Sequence, residues 1–276
     1  MQCPISLIIS VYNKIDFLEL IFAALEIQTY KEFEVVIADD GSDTNFVKGL
    51  DLLISKATFP AKHVWHEDKG WRKNIILNRA IVAAEGNYLI FIDGDCIPHP
   101  LFIEEHVNGR KPNQVMCGRR VTLTKKISKE VTLLQIQNTN FHRKLFWSLL
   151  FETIFYKKQT KIVHMFRIRN KVLRSIFARE KSKSILGCNF SAWKVDLLKV
   201  NGFDERFVHP GMGEDTDLDN RLRENGVFMV SNKFLMTIYH MFHNQLDLGN
   251  SYNFLLRDEN LGNKVTYTPY GIKKTK

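Results

Sequence analysis

Residues 88–95 read Tyr-Leu-Ile-Phe-Ile-Asp-Gly-Asp, an apolar run that stops at two carboxylates. The five apolar residues are typical of a strand that is buried on both faces. Asp93 and Asp95 then stand at the end of that strand. One residue apart, they can share a hard divalent cation that keeps other positions for water and phosphate oxygens. Such a pair more often belongs to a plain acidic turn than to a metal site, so the surrounding sequence has to distinguish these two possibilities.

The preceding residues repeat this arrangement. Ile5–Val11 and Phe33–Ala38 predict two more apolar strands, and Lys62–His66 predicts another. Apolar residues at helical spacing separate the strands, at residues 16–28, 45–55 and 71–85. Strands that alternate with helices predict an α/β fold, with a mostly parallel sheet and helices on both faces. In such sheets ligands bind beyond the carboxyl ends of the strands, where the acidic residues lie.

A second acidic pair ends the strand at Phe33–Ala38. Asp39 and Asp40 precede Gly41-Ser42. A carboxylate at this place can accept hydrogen bonds from a nucleobase imide or a ribose hydroxyl. It can equally belong to an ordinary turn, because Asp and Gly favour turns on their own.

A third acidic cluster, Gly213-Glu214-Asp215-Thr216-Asp217, opens a predicted helix. Acidic residues suit a helix N-terminus because of the helix dipole, which is sufficient to account for Asp217 and Asp219. One carboxylate of the cluster can also act as a general base toward an attacking hydroxyl. Downstream, either His240 or His243 can complete a metal site begun by Asp95.

The positive charge is concentrated in one segment. The chain has 276 residues and a net charge of +9, which suits one or two domains with an anionic partner. Residues 122–183 carry 15 basic and three acidic residues, a net of +12, so the remainder is mildly acidic at −3. Within this segment Ile162–Phe177 shows apolar residues at helical spacing among lysines and arginines. We expect a basic helical insert that docks on an anionic membrane surface, or packs on the rest of the chain or on a second copy.

Other features narrow the class of protein. Four widely spaced cysteines, without a Cys-x-x-Cys pair, predict reduced thiols rather than disulfides or a zinc site. No signal peptide is expected, because the start of the sequence lacks a basic region and a long apolar region. The densest apolar stretch, residues 145–155, is too short to span a bilayer. A cytoplasmic protein, at most peripheral to the inner face of the membrane, is expected.

At this point the motifs match a known family in their order along the chain. The chain resembles inverting family-2 glycosyltransferases with the GT-A fold, in particular the bacterial branch of chondroitin-polymerase-like and capsule or lipopolysaccharide sugar transferases. The match covers about residues 4–118 and 185–243. The matching stretches are Ser6–Asn13, Val35–Ser42, Asp68–Lys73, Asn78–Ile81, Gly86–Pro98, Gly202–Glu205 and Gly213–Leu218.

The resemblance implies a role for each matching residue. On the donor side, Val11 and Tyr12 would line the base pocket, Asp39 or Asp40 would hold the uracil or ribose, and Arg72 would lie near the diphosphate. Asp93 would approach the ribose and metal, and Asp95 would ligate Mn²⁺ or Mg²⁺ together with His240. Glu214 would position the acceptor, and Asp215 would deprotonate its hydroxyl. Relatives often have arginine where this chain has Leu77, so Arg72 or Arg79 is expected to make that contact.

The function implied by the resemblance is metal-dependent, inverting transfer of a hexosyl or N-acetylhexosaminyl group. The donor would be a nucleotide sugar, with UDP expected, and the acceptor a hydroxyl of a glycan or lipid-linked glycan. We expect one catalytic domain over residues 1–276, made of a nucleotide-sugar half (1–121), the basic insert (122–183), an acceptor half (184–245) and a C-terminal surface extension (246–276).

Two other classes of protein share features with this sequence. A basic membrane-surface or nucleic-acid binding module without transferase activity is the main alternative, although no RNA-recognition signature is present and no nucleic acid is expected. A sugar nucleotidyltransferase would carry a glycine-rich, arginine-containing loop after the first strand, where this chain has Tyr12-Asn13-Lys14-Ile15. Steep salt dependence of binding to nucleic acid or to anionic vesicles would distinguish the first alternative.

Overall fold

Strands and helices alternate through the first hundred residues, as the apolar pattern predicts. The computed structural model describes residues 5–138, 141–155, 161–168, 170, 183–211, 213–232, 234–244 and 251–274. The strands are β1 (Ile5–Val11), β2 (Phe33–Asp39), β3 (Ala61–Trp65), β4 (Tyr88–Asp93), β5 (Cys96–Pro98), β6 (Gln114–Cys117), β7 (Arg119–Thr122), β8 (Asn189–Trp193), β9 (Phe228–Ser231) and β10 (Thr237–His240). The helices are α1 (Ile15–Glu26), α2 (Thr44–Lys56), α3 (Lys73–Ala83), α4 (Phe102–Gly109), α5 (Lys125–Glu130), α6 (Leu133–Gln137), α7 (Phe141–Phe155), α8 (Lys194–Lys199), α9 (Glu214–Glu224) and α10 (Ser251–Gly262), with a 3₁₀ turn at Ile162–Met165.

Seven strands form the main sheet, in the order β3-β2-β1-β4-β8-β6-β9. All its neighbouring pairs are parallel except those that β8 makes with β4 and β6. The register aligns Val11 with Asp39 and Ser10 with Asp93. The acidic ends of β2 and β4 therefore flank the end of β1 at one edge of the sheet, as the sequence predicts.

Apolar residues cover both faces of this sheet, because side chains alternate along each strand. Leu7 and Ile9 of β1 point to one side and pack with α1 and α2, whereas Ile8 points to the other and packs with α3, α8 and α9. Phe91 of β4 stacks on Phe190 of β8, with ring centroids 4.5 Å apart. Both core clusters are fully buried, which explains why the strands are continuous apolar runs.

A smaller sheet of three strands, β5-β10-β7, stands at the carboxyl edge of the main sheet. β10 is antiparallel to β5, and their register pairs His240 with Cys96. This pairing places Cys96, the residue that follows Asp95, beside a strand that is distant in the sequence. The small sheet is thus the element that brings the downstream histidines to the carboxylates.

The described part of the basic segment contains the helices α5, α6 and α7. Phe141, Leu145 and Leu149 of α7 pack into the core, and α7 contacts α6 and the 3₁₀ turn. The predicted helical spacing over Ile162–Phe177 is confirmed only as the 3₁₀ turn at Ile162–Met165. Residues 171–182, which hold the rest of that pattern, lie outside the described residues.

The C-terminal stretch differs from the predicted surface extension. Asn260 of α10 donates to Asp217 Oδ1 at 2.7 Å, and Asn201 bonds to the backbone of Thr268 and Lys273. Thr268 is fully buried and donates to Asp204 Oδ2. Buried hydrogen bonds, together with the inward-packing side chains of Leu256 and Ile272, hold this stretch against α9 and against Asn201 and Asp204, so it is not a surface extension.

Candidate active site

The Asp93-Gly94-Asp95 turn is shaped by the end of β1. A side chain on Gly94 would place its Cβ 2.9 Å from the carbonyl oxygen of Ser10, so only glycine fits between the two aspartates. The backbone N–H of Gly94 donates to that same oxygen. As a result the two carboxylates leave the strand in different directions and meet different partners.

The Asp93 carboxylate is bound by Lys73. Its Oδ1 accepts hydrogen bonds from Lys73 Nζ at 2.6 Å and from Ser10 Oγ at 2.8 Å. Burial alone would lower the pKa of Lys73, but the carboxylates of Asp93 and Glu214 raise it above its usual range, so this residue is a cation. Lys73 therefore joins the end of β4 to the start of α3. It is the last residue of the matching stretch Asp68–Lys73, in which the resemblance implies a role only for Arg72.

Asp95 meets both histidines. Its Oδ2 lies 3.0 Å from His243 Nε2 and 3.4 Å from His240 Nε2. Burial would raise the pKa of Asp95, but the hydrogen bond with His243 and the charge of His240 hold it at about 2. One ligand atom from each of the three residues falls within 4.8 Å of the others, which suits a shared metal ion. Asp93 is not part of this trio, so its expected role as a metal ligand stays a prediction.

Glu214 and Asp215 begin helix α9. The preceding Gly213 has φ of 139°, and a Cβ there would lie 3.0 Å from the ring of Phe207. Asp215 Oδ2 accepts from the backbone of Gly187 at 3.3 Å, and its Oδ1 accepts from that of Thr216 at 2.8 Å. Burial raises the pKa of Asp215, which makes it a better proton acceptor.

Glu214 carries an unsatisfied oxygen. Its Oε2 is buried and has no hydrogen-bond partner among the described residues. Burial and the neighbouring Asp215 carboxylate raise the pKa of Glu214 to about 7, against an ordinary value of 4.5. A carboxyl group that is half protonated near neutral pH and has an unpaired oxygen is suited to meet a ligand hydroxyl.

This raised pKa makes stability depend on pH. The folded chain keeps the Glu214 proton up to about pH 7, whereas the unfolded chain releases it near 4.5, so stability falls as pH rises between these values. We expect Glu214→Gln to avoid that loss, which is about 1.4 kcal/mol for each pH unit of the window. Urea denaturation at pH 5 and pH 8 measures the difference. Glu224→Gln, a change at an exposed residue at the other end of α9, should show the same pH dependence of stability as the wild type. An equal change in stability between pH 5 and pH 8 for all three proteins would contradict the raised pKa of Glu214.

The remaining acidic residues of α9 are structural. Asp217 forms a buried ion pair with Arg221 at 2.7 Å, and Asp219 pairs with Arg223 at 2.9 Å. The sequence assigned Asp217 and Asp219 to the helix dipole. Their pairing with arginines one turn later is the stronger reason for their presence.

The residues expected around the base lie together at the ends of β1 and β2. Val11 is buried, and Tyr12 is half exposed and donates from its hydroxyl to Asp68 Oδ2 at 2.9 Å. Asp39 is fully buried, with Oδ2 2.9 Å from His63 Nε2. Asp40 Oδ1 lies 2.7 Å from His66 Nε2, and its Oδ2 accepts from the backbone N–H of Arg72.

The expected contact of Arg72 or Arg79 with the diphosphate stays a prediction. The side chain of Arg72 donates to the carbonyl of Glu67 at 3.2 Å, and Arg79 is exposed on α3. Leu77 packs into the core. Lys73, four residues before Leu77 and so on the same face of the helix, is a cation that bonds to Asp93.

The comparisons with known proteins agree with this geometry. Residues 6–177 match the model of glycosyl transferase family 2, and residues 167–245 match that of the N-terminal domain of galactosyltransferase. The chain therefore belongs to glycosyl transferase family 2.

Two curated relatives are chondroitin synthases. The one from Escherichia coli is 27% identical over 239 residues, which cover 82% of this chain and 33% of the relative. The one from Pasteurella multocida is 27% identical over 241 residues, covering 81% of this chain and 23% of the relative. The chain thus spans a third or less of the length of these relatives. The expected similarity to chondroitin-polymerase-like proteins is confirmed.

Solved structures share the fold. The glucosyl-3-phosphoglycerate synthase of Mycobacterium tuberculosis, solved with Mn²⁺, UDP and glucosyl-3-phosphoglycerate, superposes with a TM-score of 0.54 at 14% identity, over 97% of this chain and 81% of that one. The mannosyltransferase of Pyrobaculum calidifontis, solved with GDP-mannose and Mn²⁺, gives 0.55 at 12% identity, over 89% and 59%. The predicted GT-A-like α/β fold is confirmed.

Proposed function

We propose that this chain transfers a sugar from a nucleotide donor to a hydroxyl of a glycan, with inversion at the anomeric carbon. The observation that carries the proposal is the presence of two chemically different groups, a trio suited to a metal at the end of β4 and a half-buried carboxylate pair at the start of α9. Lys73 links the two regions, because it bonds to Asp93, two residues before Asp95, and the negative charge of Glu214 raises its pKa. Separate sites for a leaving group and for a base are what a single in-line displacement needs.

The reaction assigns one task to each of these residues. Asp215 takes the proton of the acceptor hydroxyl while the oxygen of that hydroxyl forms a bond to the anomeric carbon. On the opposite side, the bond from that carbon to the diphosphate oxygen breaks, and the electron pair leaves with the diphosphate. Glu214 holds the acceptor beside Asp215. One displacement of this kind inverts the configuration at the anomeric carbon.

Asp95, His240 and His243 would hold a divalent metal ion, which supplies positive charge to the leaving diphosphate when it is bound. The donor set contains one carboxylate oxygen and two imidazole nitrogens. Imidazole suits transition metals better than Mg²⁺, which prefers oxygen ligands and keeps its water. We therefore favour Mn²⁺ over Mg²⁺. The solved neighbours that hold Mn²⁺ support this choice.

A UDP-linked donor is the version of the proposal that fits the matching motifs. Tyr12 and the Asp39–Asp40 pair would meet the base and ribose. The two structural neighbours hold UDP and GDP-mannose, so the base has to be tested. Nucleotide release from a panel of UDP- and GDP-sugars, with Mn²⁺ or Mg²⁺, is the deciding measurement. Metal-dependent release of UDP supports the proposal, and its absence with every donor in the presence of acceptor glycans contradicts it.

The acceptor is proposed to be a growing polysaccharide or a lipid-linked glycan. The similarity to chondroitin synthases supports a cell-surface polysaccharide, since those relatives are named for making one. An acceptor of this kind lies at the cytoplasmic face of a membrane while it is being built. This is the reason to examine how the basic insert could approach a lipid surface.

Helix α7 supports docking on an anionic membrane surface. Trp147, Phe151, Ile154 and Phe155 on one side of the helix are 50–67% exposed. Exposed basic residues precede and flank this apolar stripe, namely Lys125, Lys126, Lys129, Arg143, Lys144 and Lys161. Apolar side chains beside lysines are the composition of helices that lie in the plane of a membrane interface. Among the described residues, no helix combines the length and apolar character that crossing a bilayer requires.

Vesicle co-sedimentation tests this surface. We expect the triple variant Lys125→Gln, Lys126→Gln, Lys129→Gln to bind vesicles of phosphatidylserine and phosphatidylcholine about a hundredfold more weakly than the wild type, since each basic residue contributes about 1 kcal/mol. The matched control neutralises three exposed lysines elsewhere, Lys48, Lys56 and Lys199. Equal sedimentation of the wild type, the triple variant and the control with the vesicles would contradict the proposed docking on a membrane. Loss of RNA binding without loss of vesicle binding would favour the nucleic-acid alternative.

A further inference from the structure

We propose that Lys73 binds the β-phosphate of the nucleotide donor and neutralises the charge that the leaving diphosphate acquires. The inference rests on the proposed function, and it assigns to Lys73 the contact that the resemblance implies for Arg72 or Arg79. The residue belongs to no matching motif as a ligand-binding position. Its placement in the fold is the reason to single it out.

Lys73 interacts with three carboxylates. It is the first residue of α3, so it enters the site at the carboxyl edge of the main sheet. Its Nζ lies 2.6 Å from Asp93 Oδ1, and the negative charges of Glu214 and Asp215 act on it as well. The side chain is 19% exposed, so it is not completely sealed from a ligand.

The ammonium group has donors to spare. It carries three N–H groups, and the contact with Asp93 uses one of them. Asp93 Oδ1 also accepts from Ser10 Oγ, so the carboxylate does not depend on Lys73 alone. A diphosphate could therefore approach Lys73 without breaking its bond to Asp93.

The site needs a cation at this place. The carboxylates of Asp93, Glu214 and Asp215 act on Lys73, and Asp95 lies two residues beyond Asp93, so an anionic diphosphate would enter a region rich in negative charge. Arg120 also acts on Asp93, but its Nη1 contacts the thiol of Cys188 at 3.7 Å. Lys73 is the one with a direct bond to the Asp93 carboxylate.

The transfer of the sugar requires no proton from Lys73. The acceptor oxygen forms a bond to the anomeric carbon, and the bond between that carbon and the oxygen of the β-phosphate breaks. The electron pair stays on this phosphate oxygen, and a Lys73 N–H donates a hydrogen bond to it. Charge-assisted hydrogen bonds of this kind are about twice as strong as neutral ones.

The test compares binding of UDP and of uridine in the presence of Mn²⁺. Lys73→Met removes the charge and keeps the chain length, whereas Lys73→Arg keeps the charge. We expect Lys73→Met to weaken UDP binding by about 10- to 100-fold and to leave uridine binding unchanged, because uridine has no phosphate. Lys73→Arg should retain most of the UDP affinity. Isothermal titration calorimetry measures the affinities of the wild type and of both variants for UDP and for uridine.

Lys62→Met is the matched control for a merely structural ion pair. Lys62 pairs with Glu34 at 2.8 Å and with Glu85 at 2.7 Å, near the amino ends of β2 and β3, at the opposite edge of the sheet. It should lower the melting temperature without changing UDP affinity. Equal UDP affinity of Lys73→Met and wild type would overturn the role of Lys73, and so would an equal loss for UDP and uridine. If the wild type binds neither UDP nor GDP, the proposed donor class itself is wrong.

Discussion

Replacing Asp95 with alanine is expected to abolish metal-dependent release of UDP, with a loss on the order of a thousandfold or more. The carboxylate is the anionic member of the trio with His240 and His243. Without it the two imidazoles would hold a divalent ion weakly, and the leaving diphosphate would lose charge stabilisation worth several kcal/mol. Nucleotide release over a Mn²⁺ titration, together with direct Mn²⁺ binding, measures both consequences.

The design separates loss of metal from loss of fold. Circular dichroism and the melting temperature establish whether the variant remains folded. Asp51→Ala, at an exposed position on α2, is the matched control and should leave Mn²⁺ binding and transfer unchanged. Retained turnover in folded Asp95→Ala would contradict the assignment of this residue as a metal ligand.

Asp215→Asn is expected to lower the rate of transfer by about 10²- to 10⁴-fold while donor binding stays the same. Asparagine keeps the size of the side chain, and its single carbonyl oxygen can still accept from one of the two backbone N–H groups, those of Gly187 and Thr216, that bond to the carboxylate. It cannot take a proton from the acceptor hydroxyl. Steady-state transfer and equilibrium UDP binding, measured on the same preparation, test the two halves of this expectation.

Asp219→Asn provides the control on the same helix. It makes the same chemical change one turn later, at a residue that pairs with Arg223. We expect a modest loss of stability and normal transfer. If Asp215→Asn transfers sugar as fast as Asp219→Asn does, Asp215 is not the base.

The sheet and its acidic edge could be predicted from local sequence. Apolar runs that end in Asp39 and Asp93 fix both the strand type and the side on which a ligand is expected, because parallel strands end at a common edge. Asp95 stands at the same edge, and the start of α9 offers one carboxylate as a base, but the choice of Asp215 over Glu214 comes from the family resemblance. The roles of both residues remain predictions.

Other residues depend on contacts between distant segments. The sequence offers either His240 or His243 as the partner of Asp95, and only the pairing of β5 with β10 shows that both lie beside it. Lys73 ends a matching stretch, but only the position of β4 shows that it meets a carboxylate. The C-terminal stretch differs from the expected surface extension because its polar residues Asn260 and Thr268 are buried and hydrogen-bonded, and apolar periodicity does not detect such burial.

The position of β8 has a consequence for how the chain folds as it is synthesised. β8 lies between β4 and β6 in the sheet, yet it follows both of them and the basic insert in the sequence. Until residues 189–193 leave the ribosome, the apolar strand β4 has an unpaired backbone edge. Such an edge invites pairing with another chain. The nascent N-terminal half is therefore the species most exposed to aggregation, and completion of β8 is the event that protects it.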